Sequence, residues 1–280
     1  MSRSVFAPVS CVVAEVDPSP NFGDRKDDRR PDMILLHYTG MRYADAALEL
    51  LKAPGSDVSC HYFVHEDGRI VQLVQEARRA WHAGKSSWAG ETDINSSSIG
   101  IEIVNPGHDH GYPPFPKRQI AAVTALCRSI LTRHPIQPTR VLAHSDVAPA
   151  RKQDPGEKFP WRTLHDSGVG HWVKSAPIMD FGQTLRPGDR SNAVATMQKL
   201  LAEYGYGIEV NSEYDVATRD VVAAFQRHFR PERVDGTFDA STRSTLQELL
   251  AGRSHANGRG RTIAARARTT MTLTAPDFVS

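Results

Sequence analysis

The sequence predicts an α/β fold, with a mixed central sheet flanked by helices, followed by a small all-α domain of three helices. Three observations carry this expectation. Between residues 31 and 175, short apolar runs that end in turn residues alternate with amphipathic helical stretches. A breaker-containing stretch, "KSAPIMDFGQ", then interrupts the pattern. Beyond it the periodicity is helical only, and the related phrases "YDVATR" (214–219) and "FDASTR" (238–243) form a short internal repeat.

Residues 1–30 read as a flexible lead-in, because "DPSPNFGDRKDDRRPD" (17–32) is charged and rich in breakers. "MILL" (33–36) is a short buried strand ending at His37, and "RYADAALELLKA" (42–53) is a helix that Pro54 and Gly55 stop. "CHYFVHEDGRIVQLV" reads as two strands joined around Asp67-Gly68. "SSIGIEIV" (97–104) is a further strand. In "KRQIAAVTALCRSILTRH" the residues Ile120, Val123, Leu126, Cys127, Ile130 and Leu131 recur at helical spacing. "RVLA" (140–143) is the last strand and delivers His144. The domain so defined spans 31–175, and a linker covers 176–184. A helical domain follows at 185–251, with Val194, Met197, Leu200, Leu201 and Tyr204 on one face of its first helix, and Asp215 and Asp239 placed to cap the next two. The linker and the change of pattern predict that this domain folds apart from the first. The tail, 252–280, has arginines and small polar residues without apolar period and reads as disordered.

Composition narrows the function classes. A chain of 280 residues, 40% hydrophobic and 24% charged, supports one sizeable core and a second small one. A net charge of +2, with no basic block beside a reading motif, argues against nucleic acid as partner. Cys11, Cys60 and Cys127 are odd in number and widely spaced, so no disulfide framework underlies the fold. No stretch approaches the roughly eighteen apolar residues of a membrane helix. The start is a poor secretory signal, with its apolar pieces broken by Pro8 and Glu15, which favours a cytoplasmic location.

The chemistry concentrates in "HSDVAPARKQDPG" (144–156), a stretch whose prolines and glycine argue for a loop rather than a helix. Folding back on itself, that loop brings Asp154 beside His144, and His37 stands at the end of another strand. Two neutral imidazoles and one carboxylate form a donor set for one zinc ion with an open fourth position, the arrangement of a catalytic site. Glu102 interrupts "SIGIEIV" on the face opposite Ile99, Ile101 and Ile103, where an unpartnered carboxylate is costly, so it reads as the base acting on the attacking water. Lys152 is placed to hydrogen-bond a tetrahedral oxyanion. Each residue alone has a plainer reading: a packed histidine, half of an ion pair, or, for Arg151 and Lys152, solvated loop charges. "GHDHG" (107–111) reads as a surface loop, and Trp81-His82 as core packing or a groove wall.

Taken together, "LLHYTG", "SCHYFVHEDGRIVQLV", "AWHAG", "SIGIEIVN" and "VLAHSDVAPARKQDPGEKFPW" resemble the zinc-dependent N-acetylmuramoyl-L-alanine amidases of type 2. The resemblance covers roughly residues 31 to 170. It implies zinc ligands at His37, His144 and Asp154, a catalytic acid/base at Glu102, a transition-state-stabilising lysine at Lys152, and a substrate groove bordered by Trp81 and His82. "LRPGDRSNAV", "AAFQRHF" and "VDGTFDASTRSTL" are similar to the helical peptidoglycan-binding domain appended to cell-wall hydrolases, although Asn211-Ser212 replaces the usual Asp-Gly-like turn and Ser191 a common glycine. The implied substrate is the amide between N-acetylmuramic acid and L-alanine, in peptidoglycan or in its muropeptide fragments, and the wall-binding domain points to the periplasm or envelope as the alternative location. The rival readings are a non-catalytic peptidoglycan-recognition protein on the same scaffold, an endopeptidase cutting within the stem peptide, and, for the second domain, a helical cap on the first.

Overall fold

Apolar pattern becomes secondary structure in chain order in the computed structural model, which describes residues 6–179 and 182–253. Strands β1 (Glu15–Val16) and β2 (Phe22–Asp24) precede β3 (Met33–Tyr38) and helix α1 (Ala44–Lys52). Next come β4 (Tyr62–Val64), β5 (Ile70–Gln72) and β6 (Arg78–Ala80). A single turn, α2 (Ile94–Ser97), runs straight into β7 (Ser98–Ile103), followed by the long α3 (Lys117–Arg133) and β8 (Val141–Ala143). The short helices α4 (His144–Val147) and α5 (Trp161–Asp166) close the first domain, and α6 (Asn192–Tyr204), α7 (Val216–Phe229) and α8 (240–253) form the second.

The six-stranded sheet has the order β1-β5-β4-β7-β3-β8. Only β4 and β5, the hairpin around Asp67-Gly68, pair antiparallel, so the sheet is mixed, while β2 and β6 form a separate antiparallel ribbon. Strand alternation divides the core. Ile34, Leu36, Ile99, Ile101 and Ile103 face α3, which meets them with Ile120, Val123, Leu126, Cys127 and Ile130. The other face of the central strands carries Met33 and Leu35, then His37, and beside them Gly100 and Glu102. Alternation therefore puts the site on the face away from α3.

The part of that face around Met33, Leu35 and Leu142 is covered by the second domain, so the two share a core where separate folding was expected, while the site itself stays open. Met33, Leu35, Trp88, Leu142, Val147 and Ala148 lie in one buried cluster with Val194, Met197, Leu201, Tyr204, Tyr206, Phe225 and Phe229. Trp88 stands edge-on to Tyr204 and Tyr206, with ring centroids 6.1 and 5.0 Å apart, and Ala89 donates its N–H to Gly205 O at 2.7 Å. An apolar helix face reads the same from sequence whether its own bundle or a neighbouring sheet covers it.

The internal repeat extends into hydrogen bonding. Gln198 Nε2 donates to Asn211 Oδ1, Glu213 O and Thr218 Oγ1, while its Oε1 accepts from the N–H groups of Asn211 and Ser212. Gln226 does the same with Asp235, Thr237, Thr242, and the N–H groups of Asp235 and Gly236. Ser212 takes a left-handed φ of 66°, matching 68° at Gly236, so it makes the turn at the usual steric cost of a side chain. Asp215 and Asp239 cap as expected, each accepting a backbone N–H three residues on at 2.7 Å.

The lead-in also differs from expectation. Residues 6–30 are ordered: β1 extends the sheet and Arg25 is buried at 5% exposure. Its guanidinium is satisfied by the carbonyls of Glu76, Asn95, Ser96 and Ser98, which is what lets a basic residue leave water. The tail expected to be disordered lies, from residue 254 on, outside the described residues.

Candidate metal centre

His37 and Glu102 are direct neighbours in the parallel pairing of β3 with β7, so one register fixes both side chains on one face. His144 opens α4 where β8 ends. The loop reading of 144–156 is thus corrected at its start: four residues make a helical turn before the chain loops back. Ser145 N–H donates to Asp154 O at 3.0 Å, and this bond closes the loop and returns Asp154 to His144. Gly156, at φ 85°, is required there, because a Cβ would overlap Tyr112 Oη.

Three buried donor atoms converge. His37 Nδ1 lies 2.9 Å from His144 Nδ1 and 3.1 Å from Asp154 Oδ2, which is 3.0 Å from His144 Nδ1. Their other atoms are already committed. His144 Nε2 lies 3.0 Å from Ala83 O, which can only accept, so the proton sits on Nε2 and the Nδ1 lone pair points inward. His37 Nε2 likewise faces His82 Nδ1 at 3.1 Å. His82 Nε2 in turn faces Ser98 Oγ at 3.4 Å, and Ser98 Oγ donates to Ile94 O at 2.6 Å. Two neutral imidazoles with inward lone pairs and one carboxylate fit zinc.

The electrostatics agree. Burial, then His144, push His37 down to about 4 against the pull of Asp154, which keeps the imidazole neutral. Burial and then the charge of Asp154 push Glu102 well up, opposed by Lys152, and its Oε2 is enclosed without a hydrogen-bond partner. A carboxyl group with one enclosed, unpaired oxygen beside three inward-facing donors is placed to exchange a proton with a molecule bound there.

The donors open into a cleft of about 380 Å³. Glu102, Lys152, Trp81 and His82 all line it, so every residue singled out from the sequence reaches one space. Trp81 is half-buried on the wall. His82 sits deeper, against His37 and over Gly100, whose missing Cβ makes room for its ring.

Other residues were read differently. Arg151 is exposed, as its reading as a loop charge implies, but it does more: its Nη2 donates to Ala83 O at 2.7 Å and Lys85 O at 2.8 Å, latching the ligand loop to the carbonyl that orients His144. "GHDHG" is not only surface, since His108 lines the cleft, faces Tyr38 Oη at 3.0 Å and Glu157 Oε2 at 3.1 Å, and stacks on Tyr112. Asn95, whose Oδ1 accepts from the N–H groups of His82 and Ala83, carried no sequence signal.

Residues 27–157 match the family described as N-acetylmuramoyl-L-alanine amidase, and residues 190–246 that described as putative peptidoglycan binding domain. The chain is 38% identical over 236 residues to the N-acetylmuramoyl-L-alanine amidase AmiD of Escherichia coli, covering 79% of this chain and 83% of AmiD. It is 35% identical over 162 residues to the 1,6-anhydro-N-acetylmuramyl-L-alanine amidase AmpD of Citrobacter freundii, covering 51% of this chain and 84% of AmpD. Among solved structures, the complex of Escherichia coli AmiD with anhydro-N-acetylmuramic acid-L-Ala-D-gamma-Glu-L-Lys is similar at a TM-score of 0.68 and 36% identity, over 80% of this chain and 90% of that one. AmpDH3 of Pseudomonas aeruginosa is similar at a TM-score of 0.66 and 32% identity, over 80% and 92%.

Proposed function

Because the chain belongs to the N-acetylmuramoyl-L-alanine amidases of type 2, we propose that its cleft hydrolyses the amide between N-acetylmuramic acid and L-alanine in peptidoglycan or its muropeptide fragments, with one zinc ion per chain. The observation that carries this reading is the convergence of His37, His144 and Asp154 beside Glu102, whose buried Oε2 has no hydrogen-bond partner. Zinc, when bound, polarises a carbonyl and makes water acidic near neutral pH.

The remaining work falls to the chain. His37, His144 and Asp154 hold the ion, and the orienting bonds to His82 and Ala83 O keep both imidazoles presenting Nδ1. Glu102 takes a proton from the attacking water and returns it to the leaving nitrogen of L-alanine. Lys152, on the ligand loop, places its ammonium against the developing oxyanion. Trp81 offers an apolar wall to the substrate. The intact donor set and Glu102 stand against a purely recognising protein.

Mass spectrometry of the products from intact sacculi and from soluble anhydro-muropeptides tests the bond assigned. Release of stem peptides with a free L-alanine amine supports it. Cuts within the stem peptide would make the chain an endopeptidase instead.

A further inference from the structure

Asp146 is a fully buried carboxylate two residues beyond His144, and none of the chemistry above uses it. It closes the entry to α4: the N–H of Ala143 donates to its Oδ2 at 2.8 Å, fixing the turn from β8 into the helix that begins with His144. Its other donors come from the second domain. Tyr206 Oη donates to Oδ1 at 2.7 Å, and His228 Nδ1 donates to Oδ2 at 2.7 Å. Both donors are themselves buried, at 3% and 2% exposure. His228 is clamped between Trp161 and Phe229, whose rings stack on it at 3.7 and 3.8 Å, so its imidazole has no room to swing aside. Helix α7, which carries His228, packs directly on α4.

We propose that Tyr206 and His228 are positioning residues of the metal centre, through which the second domain fixes Asp146 and thereby the His144 end of α4. The inference rests on the zinc reading above and adds to it that the metal centre is built by both domains. The physical reason is the cost of a buried carboxylate without donors. Deprived of Tyr206 and His228, Asp146 keeps only the Ala143 N–H, leaving Oδ1 unpaired, and it must shift to find further donors; α4 is a single turn that moves with it. His144 then loses register with His37 and Asp154, whose donor atoms lie within 3.1 Å of it and of each other. Outer partners that orient ligands typically carry about 10- to 100-fold in metal affinity.

The test uses the full chain and three variants: Y206F, the double variant Y206F/H228F, and Y206F/H228N, in which the asparagine amide restores a donor near the position of Nδ1. Zinc affinity is measured by chelator competition, and the visible absorption bands of the cobalt(II)-loaded protein report ligand geometry. The double variant is expected to lose about 10- to 100-fold in zinc affinity and to shift its cobalt bands, and H228N to recover much of both. A merely structural role would lower the melting temperature but leave the folded protein's zinc affinity and cobalt spectrum at wild-type values, and that result overturns the proposal. Should the double variant not fold, Y206F alone decides: it keeps the ring in the core and removes one donor, and unchanged affinity and spectrum again overturn the proposal. Wild-type protein that takes up no zinc would overturn the underlying reading, an outcome distinct because it precedes any substitution.

Discussion

Gly100→Ala isolates the outer support of the metal centre with a single methyl group. Gly100 lies in β7 with an ordinary strand backbone, so alanine brings no conformational strain. Its Cβ, however, would stand 2.5 Å from Cγ and Cδ2 of His82 and 2.6 Å from its Nδ1. Non-bonded carbon atoms settle at about 3.5–4.0 Å, so the ring must retreat by about 1 Å or more. The 3.1 Å contact from His37 Nε2 to His82 Nδ1 does not survive that movement, and His37 loses the partner that presents its Nδ1 to the metal. Overpacking of this kind costs about 1–3 kcal/mol in stability. Loss of a ligand's orienting partner costs about 10- to 100-fold in metal affinity or activity. Chelator competition for zinc and steady-state turnover of an anhydro-muropeptide, read beside the melting temperature, measure all three. A folded G100A protein with wild-type zinc affinity and turnover would refute the reasoning, because it would mean that His82 does not orient His37.

Three further outcomes are expected. Glu102→Gln should keep its zinc and lose about 10²- to 10⁴-fold in kcat, as removal of a general acid/base does; loss of zinc instead would make Glu102 a ligand. Glu76 gives an acid limb to stability: burial raises it, but hydrogen bonds from His134, Arg133 and Tyr62 prevail and hold it at about 2 against an ordinary 4.5. Its contribution, about 3 kcal/mol, is therefore complete above pH 4.5 and is lost as the pH falls from 4.5 towards 2, so Glu76→Gln should flatten the fall in melting temperature over that range, and an unchanged acid limb would discount the site. Truncation after Lys174 uncovers Trp88, now only 2% exposed, together with Met33 and Leu142, so the shortened chain should melt earlier and expose apolar surface to a reporter dye, whereas an unchanged melting temperature would show the shared core to be dispensable.

The parts of the site legible from sequence were those that side-chain pattern alone can carry. His37 and His144 stand where apolar strands end, Glu102 breaks an isoleucine alternation, and the prolines around Asp154 argue for a returning chain. What pattern does not carry is contact made through the backbone. Arg151 orders the ligand loop through two carbonyls more than sixty residues away, and His144 is oriented by the carbonyl of an alanine. Neither acceptor has a side-chain signature. The four-residue α4 is shorter than any period that would reveal it. Arg25 reads as exposed because lysine and arginine usually are, and only the carbonyls gathered around it reverse that expectation. The second domain's repeat was visible in "YDVATR" and "FDASTR", while its seat on the sheet depended on which apolar faces meet.

Metal content set against turnover tests most directly whether His37, His144 and Asp154 carry the chemistry. Purified full-length protein should hold one zinc per chain, lose hydrolysis of the muramoyl–alanine bond on exhaustive chelation, and regain it when one equivalent of zinc is returned, while Asp154→Ala should neither retain the metal nor recover. Full turnover after complete removal of metal, or an Asp154→Ala variant as active as the wild type, would contradict it.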